Sequence, residues 1–91
     1  MREQIWCTIH PDGYDSLNRT GTLIEVGSAG RHVGTYTVTS RWQARVGGGW
    51  MIAIQATLPG DDRIWRGRFA PDGAGGRYAD GTVVIRPTAV N

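Results

Sequence analysis

Lysine is absent from this chain: all 10 basic residues are arginine. Such a set supplies planar, bidentate donors, but a GC-rich coding sequence produces the same bias, so it names no partner by itself. The 8 acidic residues leave a formal charge of +2 at pH 7, too small to imply a polyanionic partner unless the arginines cluster. Cysteine is nearly absent as well. The single Cys7 has no second cysteine for an internal disulfide, and its place in a strand pattern suits a small core residue. No apolar run approaches the ~20 residues of a membrane helix, and the opening Met1-Arg-Glu-Gln-Ile-Trp-Cys lacks the apolar stretch of a secretory signal. The expectation is a soluble, cytoplasmic protein. Helical periodicity is also missing, a short turn within 14–19 being the one alternative.

What the chain does have is turn chemistry. Its 91 residues include 14 Gly and 4 Pro, interleaved with short alternating segments, which is the pattern of a small all-β domain. The organising stretch runs from Tyr36 to Leu58, two long strands about Gly47-Gly48-Gly49. With the three glycines as the loop, Val46 faces Trp50, Ala44 faces Ile52, Trp42 faces Ile54, Ser40 faces Ala56 and Val38 faces Leu58. All these positions are even-numbered, so one face of the hairpin is apolar and the odd face, with Arg41, Gln43 and Arg45, is wet.

A strand over 3–9 with Ile5, Cys7 and Ile9 inward and Trp6 outward precedes this hairpin, and a second strand covers 21–26. After Leu58, Pro59-Gly60-Asp61-Asp62 forms a turn, strands follow at 63–69 and 81–86, and Pro71-Asp72-Gly73 separates them. Pro11-Asp12-Gly13 and Gly21-Thr22 recur as Pro71-Asp72-Gly73 and Gly81-Thr82, both displaced by 60 positions (11 to 71, 21 to 81). The two outer hairpins are therefore expected to share a shape. A single domain over 1–91 follows, six antiparallel strands in three consecutive hairpins (3–26, 33–58, 63–86), curled into a small barrel or folded into a two-layer sandwich. The expected inward set is Ile5, Cys7, Ile9, Ile24, Val26, Val38, Trp42, Ala44, Val46, Trp50, Ile52, Ile54, Leu58, Trp65, Phe69 and one face of 83–85.

No catalytic constellation stands out. Cys7 and His10 are three apart on a strand and point to opposite faces, which separates a nucleophile from its base. Asp61 and Asp62 sit in a turn where Asp bonds its own backbone. Cys7, His10, Asp12 and His32 lack the paired spacing of a zinc site, and no cofactor is implied. The triple glycine has neither the helix nor the lysine of a phosphate cradle. The chain reads as a non-catalytic binding protein.

The one surface signal is arginine. Arg41 and Arg45 on the wet face of the central hairpin, with Arg66 and Arg68 on the next strand, are expected to form a basic stripe rimmed by Trp6 or Tyr78. Two partners fit a protein of this kind. One is a macromolecular protein partner, as for the small self-contained proteins by which phages and mobile elements block host defence complexes (anti-CRISPR-like), an analogy of size and composition. The other is single-stranded nucleic acid on the arginine face. A monomer or a homodimer joined through the last strand fits either.

Overall fold

The computed structural model describes residues 3–12, 19–43, 50–70 and 81–88. Six strands, β1 (Ile5–Pro11), β2 (Thr20–Glu25), β3 (His32–Gln43), β4 (Trp50–Thr57), β5 (Trp65–Phe69) and β6 (Thr82–Pro87), follow one another as antiparallel neighbours. β6 then pairs with β1, from Ile5–Ile85 to Thr8–Thr82, and the sheet closes into a barrel. Of the two expected architectures the barrel is the one formed. Closure removes the free edges that a six-stranded meander would otherwise expose.

Alternation puts Ile5, Cys7, Ile9, Leu23, Tyr36, Val38, Ile52, Ile54, Ala56, Trp65, Phe69, Val83 and Ile85 inside. One row of the interior crosses four strands as Gly21, Tyr36, Ala56 and Trp65, each directly opposite the next. Small residues thus alternate with large rings, which lets a narrow barrel fill with side chains. Gly67 plays the same part beside Ile54: a Cβ added there would lie 2.6 Å from the Val84 carbonyl oxygen and 2.7 Å from Val83 Cγ2.

The central hairpin pairs in a different register from the one expected. Val38 faces Ile54 rather than Leu58, Trp42 faces Met51 rather than Ile54, and Gln43 faces Trp50. Residues 44–49, with Ala44, Val46 and the glycine loop, lie outside the described residues. Up to Val38 the slide is four residues, which keeps the side-chain parity, and Val38, Ile52, Ile54 and Ala56 still point inward. Parity changes only at a β-bulge between Val38 and Ser40, where Thr39 is the extra residue and Thr39 and Ser40 are exposed in succession.

β2 has the opposite parity to the expected one. Leu23 is buried opposite Ile9, whereas Ile24 is half-buried opposite Thr8 and Val26 is exposed. Counting apolar residues favours Ile24 and Val26 over Leu23 alone. The inner face of β2 looks poor in apolar residues because Gly21 leaves its space to the Tyr36 ring.

The outer hairpins do share a register. Moving the β1–β2 pairing forward by 60 positions on both strands gives the β5–β6 pairing, so that Arg66 and Arg86 stand where Trp6 and Val26 stand in the first hairpin. Ile5, Cys7 and Ile9 correspond in the same way to Trp65, Gly67 and Phe69, and the two buried ends of each set coincide.

Candidate binding face

The turn between β4 and β5 shows how local chemistry sets the site's frame. Asp61 N–H donates to the Leu58 carbonyl at 3.1 Å, with Pro59 second and Gly60, at φ 78°, third in the turn. Only glycine adopts that third conformation without strain. The Asp61 carboxylate then gathers the start of β5: Arg63 N–H at 2.8 Å, Arg63 Nε at 3.1 Å and Nη2 at 2.9 Å, and Trp65 Nε1 at 3.1 Å. The Arg63 guanidinium also lies 5.1 Å from the centre of the Trp65 ring. Hydrogen bonds from the Arg63 side chain first, then from its amide and from the indole, hold the Asp61 carboxyl down to about 2. Trp65 is thereby buried with its N–H satisfied, and the residues after it alternate outward from a fixed start.

Outward on β5 are Arg66 and Arg68, both exposed as expected. Arg66 stands opposite Gln55 on one side and opposite Arg86 of β6 on the other, and Arg68 stands opposite Ala53. Arg86 is missing from the sequence-derived set. The repeat of 60 positions carries the signal for it, because a β5–β6 hairpin built like β1–β2 sets residue 86 against residue 66. Arg86 donates to the Gln4 side-chain oxygen at 3.1 Å, which anchors it toward β1. Next to it on β6, Val84 stands opposite Trp6, which is 54% exposed, and Val26 N–H donates to the Trp6 carbonyl at 2.9 Å. An apolar row Val26, Trp6, Val84 therefore adjoins the arginines.

Between these side chains the outer surface is concave. A groove of about 580 Å³ is floored by Ala53 and the Gly67 backbone and flanked by Thr39, Arg66, Arg68 and Arg86. No described carboxylate occupies an outward position of β4, β5, β6 or β1. Glu3 pairs with Arg63 at 3.7 Å, Glu25 with Arg31 at 3.6 Å, and Asp12 accepts from Thr20 Oγ1 at 2.7 Å, all at strand ends or in turns. Two like charges directly across neighbouring strands, as Arg66 and Arg86 are, destabilise a sheet by roughly 0.2–1 kcal/mol. That cost is offset when an anion lies between them.

Arg41 does not join this stripe. The bulge at Thr39 places it opposite the buried Ile52, on the inward side at the barrel rim, so the expected wet-face position is corrected. Arg45 and Tyr78 lie outside the described residues. Among the described residues no three His, Cys, Asp or Glu side chains are grouped as a metal site would need, and no helix is long and apolar enough to cross a membrane. Cys7 is fully buried in the core, its thiol 3.9 Å from the Ile5 carbonyl oxygen.

The chain matches no protein-family model, no curated protein and no solved structure. Its function therefore rests on this geometry.

Proposed function

We propose that the chain is a non-catalytic binding barrel that docks on a macromolecular partner through the outer face of β1, β6, β5 and β4, and that the partner is single-stranded nucleic acid. The observation that carries this reading is the direct opposition of Arg66 and Arg86 across β5 and β6, on a groove that Arg68 also lines. Phosphates neutralise such a cluster, and the exposed Trp6 one strand away offers a ring on which a base can stack. Stacking and phosphate contacts are tolerant of sequence, so preference among bases is expected to be weak. Fluorescence anisotropy with labelled thymidine and uridine oligonucleotides over a salt series tests the reading. Binding to three phosphates gives a log–log salt slope of about −2, at ~0.7 per phosphate for single strands. No binding at low salt, or a flat salt response, would overturn it.

A second reading, a protein partner, is favoured by the apolar row Val26, Trp6, Val84 beside the arginines, since tryptophan and arginine dominate the energetics of protein interfaces. An inhibitor that occupies a host defence complex is one protein of this type. Affinity capture with the natural chain and with Val26→Asp distinguishes it: the partner should be stoichiometric with the first and lost with the second. Absence of any stoichiometric partner at micromolar protein removes this reading.

A further inference from the structure

We infer that a bound single strand crosses the β-strands instead of following them, and that the bulge at Thr39 gives it a second phosphate seat, made by Arg19 and Arg41, at the end of the track away from Trp6. This rests on the nucleic-acid reading of the face and adds a direction and a minimum length to it.

The first observation is that the groove does not end at β4. A second concavity, of about 180 Å³, is lined by Arg19, Val38, Thr39, Ser40 and Arg41, and Thr39 borders both. The second observation is how the bulge shapes that border. Thr39 Oγ1 donates to the Ala53 carbonyl at 3.1 Å, which pins the extra residue to β4, and Thr39 and Ser40 both face solvent. In an unbulged strand residue 41 would share the outward face of residue 39. Here it is turned to the row of Ile52, over the rim and beside Arg19. Arg19 is held there by its carbonyl, which accepts from Val38 N–H at 2.6 Å. Bulges re-aim side chains at barrel rims in this manner.

The third observation is spacing. Arg41 on β3 and Arg86 on β6 are three strands apart around the barrel, roughly 14 Å at the ordinary separation between strands. One phosphate cannot touch both. A strand following β5 would pass Arg66 and Arg68 and leave the second concavity empty, whereas one crossing from Trp6 over Arg86, Arg66 and Arg68 to Thr39 enters it.

The experiment compares a tetranucleotide with an octanucleotide of thymidine, using the natural chain, Arg19→Gln with Arg41→Gln, and Arg66→Gln with Arg86→Gln, each checked for a cooperative thermal transition, which should be unchanged for the first variant and no lower than that of the natural chain for the second. The natural chain should bind the octamer more tightly than the tetramer, and with a steeper salt slope. The Arg19 and Arg41 substitutions should weaken the octamer roughly tenfold, as for the loss of a charge-assisted hydrogen bond, and leave the tetramer unaffected. The Arg66 and Arg86 substitutions should weaken both. Equal loss for the two lengths, or no loss for the octamer, overturns the second seat while leaving the nucleic-acid reading intact. Failure of the natural chain to bind either length overturns that reading and the inference with it. A thermal transition displaced by the Arg19 and Arg41 substitutions would assign them to the fold and would also overturn the second seat.

Discussion

Gly21 of β2 lies directly across from Tyr36 of β3, and the Tyr36 ring occupies the space a side chain at Gly21 would need. A Cβ built on Gly21 would sit 2.5 Å from the Tyr36 ring and hydroxyl and 2.4 Å from the His10 carbonyl oxygen. Neither a packed ring nor a backbone oxygen yields cheaply. Gly21→Ala should therefore destabilise the barrel by about 1–3 kcal/mol through overpacking, read from the urea midpoint.

The Tyr36 hydroxyl is buried and has no hydrogen-bond partner among the described residues. Burial first, and the charge of Asp12 second, push its ionisation above the usual tyrosine range. Tyr36→Phe removes an unsatisfied polar atom and keeps the ring, so it should raise stability by about 1 kcal/mol. A loss of stability in urea denaturation would show that the hydroxyl is bonded.

Asp61 sets an acid limit on the β4–β5 turn. A carboxyl held at about 2 in the folded chain, against ~3.9 when unfolded, contributes stability that is fully present above pH 4 and disappears as the pH falls toward 2. Asp61→Asn should lower the melting temperature at pH 7 and converge on the natural chain near pH 2. A constant gap between the two melting curves across that range would refute the assignment.

Arg66 and Arg86 oppose each other with no described acid between them, so like-charge repulsion acts where the proposed ligand sits. Arg66→Gln should raise the stability of the unliganded protein by about 0.2–1 kcal/mol while weakening oligonucleotide binding. The same substitution thus moves two measurements in opposite directions, and a fall in both would assign Arg66 to the fold instead.

Trp6 separates binding from folding in the other way. Its side chain is 54% exposed, so Trp6→Ala should change stability by no more than about 0.5 kcal/mol. Affinity for single strands should fall by about 1–3 kcal/mol, the worth of one stacked base.

Strand count, the outward Trp6 and the inward faces of β1, β4 and β5 were legible because they depend only on alternation between polar and apolar residues. The register of the central hairpin was not, since the slide of four residues up to Val38 leaves those side chains on the same face and alternation cannot detect it. Arg41 was misplaced for a related reason: a bulge at Thr39 adds one residue to one strand, and Thr-Val-Thr-Ser-Arg carries no glycine or proline to announce it. β2 misled by counting, because the inward Gly21 is explained only by a ring from the next strand. Arg86 is legible through the repeat of 60 positions, which extends to the last strand of the outer hairpins and sets residue 86 against residue 66.

The bond between the first strand and the last has a kinetic meaning. Ile5 and Ile85, 80 positions apart, meet in the ladder that completes the ring. Such distant pairing raises contact order and slows folding, so hairpins should assemble quickly and the final seam late. On a ribosome, β1 must wait with one unbonded side until β6 has emerged, and a chaperone that shields that side during synthesis would act before the barrel exists.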